Sequence, residues 1–208
     1  MTVAQRAGQE FAQKFAGGSP VPQEQDREDF WVFAYGSLMW QPGFPHLQTE
    51  RALLRGYHRA FCIYSHHYRG TPENPGLVLG LARGGSCRGL AMRVADADAE
   101  AVIAYLHERE LITYAYKPKF LPVLLPQGEV RAYCFIADPA HHQYAGDLGI
   151  ERSAEIIMNA QGCAGLNRDY LINTVRRMEQ EGFLDKRLHA LFRRVSYLTG
   201  VIEAGGGI

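Results

Sequence analysis

The order of strand-like and helix-like segments limits what this chain can fold into. Runs rich in β-branched and aromatic residues occupy 31–35, 53–64, 77–82, 88–94, 120–125 and 130–136, and such residues favour the half-buried surface of a sheet. Helical spacing dominates from residue 150 onward, in segments 150–160, 167–181 and 186–195. Strands first and helices last predict an α+β fold, with the sheet curled into a barrel and a helical C-terminal third. Gly84-Gly85 reads as the joint between two short strands, and Pro126-Gln127-Gly128 as a hairpin turn. The stretch 66–76 is rich in turn formers and reads as a loop. Asn167 reads as a helix cap and Gly182 as a helix stop.

The flanks read differently. Residues 1–29 are expected to be an appendage: a short helix over 4–15, stopped by Gly17-Gly18-Ser19-Pro20, and then a polar linker. Residues 30–200 are expected to form the single domain, and the glycine-rich stretch 201–208 a flexible tail.

Charge and composition remove several function classes. Lys plus Arg and Asp plus Glu each number 22, giving a formal net charge of zero, whereas a general nucleic-acid binder needs a basic excess to neutralise phosphates. No apolar run approaches the ~20 residues needed to cross a bilayer, and the N-terminus lacks the apolar core of a secretory signal. The expected location is therefore cytoplasmic, with no nucleic-acid or membrane partner. The cysteines Cys62, Cys87, Cys134 and Cys163 are scattered and are expected to stay reduced. Neither His66-His67 nor His141-His142 has chelating i, i+4 spacing. No metal and no cofactor is expected.

Two stretches carry chemistry. At Tyr35-Gly36-Ser37-Leu38 an apolar strand breaks at a glycine followed by a small hydroxyl residue. Such a break lets backbone amides converge on one spot; the plainer reading is a buried strand and a turn. The second stretch follows Asp96-Ala97-Asp98, where Ala99, Val102, Ile103 and Leu106 repeat at helical spacing. On that helix Glu110 lies roughly 80° from Val102, within the apolar stripe, and Glu108 roughly 240° round on the solvent side. A carboxylate aimed at a core has its pKa raised toward the range where a general acid/base works. The competing reading is a helix-end charge paired with Arg109 or Lys117.

Together these stretches resemble the ChaC-like γ-glutamylcyclotransferases. The resemblance rests on 31–40 (Trp-Val-Phe-Ala-Tyr-Gly-Ser-Leu-Met-Trp), Gly56-Tyr57-x-Arg59-x-Phe61 and Tyr68-Arg69-Gly70-Thr71-Pro72. It continues through Tyr105-Leu106-x-x-Arg109-Glu110 and the block from Gln143-Tyr144-Ala145-Gly146-Asp147-Leu148 to Asn167-x-x-Tyr170-Leu171. It covers roughly residues 30–196, in register. Ala34 departs from the second glycine of many members. The resemblance implies the γ-glutamylcyclotransferase fold, a small mixed β-barrel flanked by helices, and cleavage of glutathione into 5-oxoproline and cysteinylglycine. It implies that Tyr35, Gly36, Ser37 and Leu38 bind the γ-glutamyl group and that Glu110 is the catalytic acid/base. Gly70-Thr71-Pro72 points to the glutathione-specific branch.

Other candidates divide between binding and structure. Arg59 meets a substrate carboxylate or is a surface strand residue. Tyr133 donates to the γ-glutamyl group or packs in the core. Asn167 and Tyr170 read as a cap and a packing residue. The oligomeric state stays open, a monomer being plausible. Three alternatives compete: a hydrolase using Ser37, which lacks the usual Gly-x-Ser-x-Gly elbow; a non-catalytic regulatory module on the same scaffold; and the same cyclisation applied to another γ-glutamyl amine or peptide.

Overall fold

The structure, a computed structural model, describes residues 30–200. The expectations for 1–29 and 201–208 lie outside the described residues. Strands β1 (Phe30–Ala34), β2 (Gln48–Ser65), β3 (Gly76–Val94), β4 (Tyr116–Leu125) and β5 (Gly128–Ala137) form a closed barrel in the order β1-β3-β2-β4-β5. All neighbours pair antiparallel except β1 and β5, whose parallel contact at Trp31↔Ala132 and Val32↔Tyr133 closes it. The barrel is thus mixed, as expected. Every residue of β1 is buried, which explains why its sequence is a continuous apolar run rather than an alternating one.

Helix α1 (Ala99–Glu110) connects β3 to β4, and helices α2 (Gly149–Asn159), α3 (Asn167–Gln180) and α4 (Lys186–Leu198) follow the barrel. Their apolar faces, among them Ile157, Leu171, Val175 and Leu188, join the same core cluster as Val32, Phe33 and Leu90 of the strands. Between α2 and α3 lies a small ribbon of β6 (Gln161–Gly162) and β7 (Gly165–Leu166). No helix among the described residues is long and apolar enough to cross a membrane.

Two expectations are corrected. Residues 77–94 are one strand, not two: β3 pairs with β2 from Gln48↔Arg93 to Ser65↔Gly76. Gly84 and Gly85 have φ of 93° and 68°, opposite a register shift between Arg55 and Tyr57. Positive φ inside a ladder makes a bulge that bends a strand without reversing it. Asn167 is not a cap: its side chain makes no capping bond. Its Nδ2 donates to Leu77 O and its Oδ1 accepts from Leu77 N, each at 2.7 Å. The amide thereby imitates a neighbouring strand and clips α3 onto β3.

Candidate active site

The site forms where β1 ends. The chain leaves Ala34, turns at Gly36 and closes a single 3-10 turn over Ser37–Met39, with Met39 N–H donating to Gly36 O at 2.9 Å. The opening of such a turn leaves its first amides without intrahelical partners. A Cβ on Gly36 would sit 3.3 Å from the Tyr170 hydroxyl oxygen, so a glycine here lets the backbone approach that phenol. The Tyr35 side chain lines the same recess, its hydroxyl donating to Phe135 O at 2.9 Å.

Across from the turn, α1 delivers Glu110 as its last residue. Tyr35, Gly36, Ser37, Leu38, Glu110, Tyr116 and Tyr170 surround an inner recess of about 40 Å³. Ser37, Glu110, Tyr116 and Tyr170 also line an outer cleft of about 450 Å³, so the two spaces share these four walls. The loop between β2 and β3 supplies one side of the cleft through His66, His67, Tyr68 and Arg69. That loop is pinned from outside, where Cys163 N–H and Ala164 N–H donate to His67 O and Tyr68 O, both at 3.0 Å.

Electrostatics favour a proton-exchanging carboxyl. Burial raises the pKa of Glu110 above the ordinary carboxylate range, and the charge and hydrogen bond of Arg109 oppose that rise. The Arg109 Nε lies 3.2 Å from Glu110 Oε1, and 20% of the Glu110 side chain remains exposed. Its place at a helix C-terminus further disfavours negative charge. Both sequence readings of Glu110 therefore apply: it pairs with Arg109, and it faces the recess. Glu108 is exposed, as helical spacing requires. The surrounding phenols stay protonated: burial raises the pKa of Tyr35, Tyr116 and Tyr170.

Two candidates fall away from the site. Arg59 is neither a surface residue nor a cleft ligand; it is 4% exposed. Its Nε donates to Tyr35 O at 2.5 Å, its Nη2 donates to Arg88 O at 2.7 Å, and its Nη1 lies 3.9 Å from Asp185 Oδ2. It props the turn from behind because β2 carries it on the buried face with Phe61. Tyr133 is fully buried. It sits among Phe30, Phe120 and Phe135, and its hydroxyl pairs with His107 Nε2 at 2.6 Å. Its polar handle is thus satisfied inside the core.

Sequence reasoning overlooked Tyr116 and treated Tyr170 as packing and Arg109 only as a partner for Glu110. The Tyr116 hydroxyl donates to Leu79 O at 2.7 Å, which fixes the phenol at the recess wall. Tyr170 packs against Trp40 and Phe61 and also lines the recess. The Asn167-x-x-Tyr170 spacing was the available signal, since the asparagine that holds α3 also sets the direction of its first turn. Ser37 Oγ accepts from Arg109 Nη2 at 2.9 Å. A guanidinium cannot take a proton, so this pairing gives a serine nucleophile no base. Among the described residues no group of three or more His, Cys, Asp or Glu side chains could hold a metal ion.

A closed mixed barrel with a glycine turn facing a helix-end carboxyl defines a recognisable class. A solved yeast structure, described as a γ-glutamyl cyclotransferase specific to glutathione, superposes with a TM-score of 0.75 at 21% identity, covering 81% of this chain and 96% of that one. The fold is therefore that of the γ-glutamylcyclotransferases.

Within that class, residues 30–198 match the model of the ChaC-like protein family, and the chain belongs to that family. A relative from Escherichia coli (strain K12), named glutathione-specific γ-glutamylcyclotransferase, is 36% identical over 187 residues, 86% of this chain and 81% of its own length. A human relative, named glutathione-specific γ-glutamylcyclotransferase 1, is 30% identical over 172 residues, 77% of this chain and 78% of its own.

Proposed function

We propose that this protein degrades glutathione by intramolecular cyclisation, releasing 5-oxoproline and cysteinylglycine, with Glu110 as general acid/base. The observation that carries the reading is the Glu110 carboxyl facing the Tyr35-to-Leu38 turn across one small recess that opens into a larger cleft. Family membership and the names of the relatives support the choice of substrate.

The nucleophile is the substrate's own α-amine, which attacks the γ-carbonyl of the same residue. Ring closure forms one C–N bond and breaks another, and being intramolecular it avoids much of the entropic barrier. An amine of pKa ~8 is mostly protonated at neutral pH. Glu110 takes that proton before attack and returns one to the departing cysteinyl nitrogen; the ring nitrogen then gives up its extra proton, which ends on the released amine, so the carboxyl ends as it began. The upward shift of the Glu110 pKa by burial suits both steps, since it makes the carboxylate a better proton acceptor than an exposed one while the protonated form stays an acid. The amides after Tyr35 hold the α-carboxylate or the developing oxyanion. In this reading the γ-glutamyl end reacts at the mouth of the recess, and the outer cleft receives the leaving dipeptide. There Arg69 donates to Ala164 O and Leu166 O and lies over the Tyr170 ring. Neutral partners leave its charge to attract the glycyl carboxylate.

The test is to incubate purified protein with glutathione and quantify 5-oxoproline, beside a panel of other γ-glutamyl compounds. Glu110→Gln is expected to lower kcat by about 10²- to 10⁴-fold with the fold retained. Unchanged turnover in that variant removes the acid/base role. Preference for another member of the panel keeps the chemistry and changes the substrate.

A further inference from the structure

Arg109 lines the outer cleft, between the 3-10 turn and the end of α1. Its Nη1 donates to Gln41 O at 2.6 Å, Pro42 O at 3.2 Å and the Tyr105 hydroxyl at 3.0 Å. Its Nη2 donates to Ser37 Oγ at 2.9 Å, and its Nε lies 3.2 Å from Glu110 Oε1. One planar group thus joins the loop after the 3-10 turn, the serine of that turn, and the last two turns of α1.

We propose that Arg109 is a positioning residue for the cyclisation: it sets the Ser37 hydroxyl as a donor to the substrate and holds the Glu110 carboxylate ready to accept a proton. The inference rests on the functional reading above.

The first half follows from hydrogen-bond polarity. A hydroxyl has one proton and two lone pairs, and a guanidinium only donates. With Arg109 filling a lone pair of Ser37 Oγ, the serine proton is left for another acceptor. Ser37 lines both recess and cleft, where the substrate's carboxylate and carbonyl oxygens are the acceptors to be held.

The second half follows from charge. The groups facing Glu110 are Arg109 on its own helix, Tyr35 after β1, Tyr116 on β4, Tyr170 on α3 and, on the β2–β3 loop, Tyr68. The phenols are neutral while protonated, so Arg109 supplies the positive charge that opposes burial. Geometry makes the two halves inseparable. A rigid fork seated on Gln41 O, Pro42 O and Tyr105 presents Nη2 to Ser37 and Nε to Glu110 in fixed directions, which a flexible ammonium cannot reproduce.

The experiment measures kcat and KM for glutathione against pH in the full-length protein, in Arg109→Met and Arg109→Lys, each with and without Ser37→Ala. In Arg109→Met the acid limb of kcat/KM is expected to move to higher pH, because Glu110 loses its cation. In Arg109→Lys, which keeps the charge, the limb should stay near its wild-type position. In both variants KM should rise about tenfold or more through the lost order at Ser37, and that rise should vanish in the Ser37→Ala background.

An unmoved acid limb in Arg109→Met, or a KM rise of equal size without the Ser37 hydroxyl, makes Arg109 a packing residue and overturns the proposal. If Arg109→Met does not melt cooperatively, the Ser37 dependence of KM in Arg109→Lys decides in the same way. Absence of 5-oxoproline from the wild type would reject the functional reading itself. Carbon-13 NMR titration of the Glu110 carboxyl, located by its loss in Glu110→Gln, then still tests Arg109: the proposal requires the carboxyl to titrate at higher pH in Arg109→Met and fails if it does not.

Discussion

At the residue scale, Glu110 shows a side chain placed against its own stability. A helix C-terminus and a half-enclosed recess both disfavour its charge, and Arg109 only partly compensates. A carboxyl whose pKa is higher in the folded than in the unfolded chain binds its proton more tightly when folded. Its contribution to stability is therefore present below the unfolded pKa and lost as pH rises through the folded one. Glu110→Gln, a neutral isostere, is accordingly expected to melt at a higher temperature than the wild type at pH 7. The two melting temperatures should converge below the ordinary carboxylate pKa of about 4.3. Paired thermal melts across pH check this, and a lower Tm for the variant at pH 7 contradicts it. Gain of stability with loss of turnover is the expected signature of a residue kept for its chemistry. The inward direction of Glu110 was legible from helical period alone, as was the outward direction of Glu108. Arg59 was not legible, because alternation assigns a residue to a face of a strand and not to a partner beyond it.

At the element scale, the helices reach the barrel through side chains that replace backbone pairing. Asn167 is wholly buried, and both hydrogen bonds of its amide run to Leu77. Its truncation strands a buried N–H and a buried C=O, each costing about 1–3 kcal/mol. Asn167→Ala is expected to lose roughly 2–4 kcal/mol in denaturant unfolding, and to weaken glutathione turnover as well because α3 carries Tyr170 to the recess. Loss of stability at full kcat would show that α3 holds its place by apolar packing alone. The strands and helices of this region were readable from period and composition. The long β3 was not, since a double glycine looks the same in a turn and in a bulge. Only the continuous partner strand β2 distinguishes them.

At the scale of the whole molecule, distant parts of the chain meet at one buried guanidinium. Arg59 of β2 links the carbonyl at the end of β1, the carbonyl of Arg88 in β3 and the Asp185 cap of α4. Arg59→Leu leaves those carbonyls without their donor and Asp185 without its cation. The expected loss is about 3 kcal/mol or more, seen as a fall in Tm of roughly 6–12 °C for a chain of this size. Because the Tyr35 carbonyl belongs to the turn of the recess, KM for glutathione should rise in parallel. A variant with lower Tm and unchanged KM would separate the support of the turn from its function. Taken alone, the amino-acid order determined most strand and helix segments though not the continuity of β3, which glutamate faces inward, where the glycine turn lies, and the family. These depend on local period, local backbone freedom and short motifs, all of which act within a few residues. Barrel closure, the convergence of Tyr116, Tyr170 and Arg109 on the recess, and the structural roles of Arg59, Tyr133 and Asn167 were decided only by tertiary structure. In each case the deciding partner lies tens of residues away, and burial and hydrogen-bond satisfaction are set by what the folded chain brings alongside.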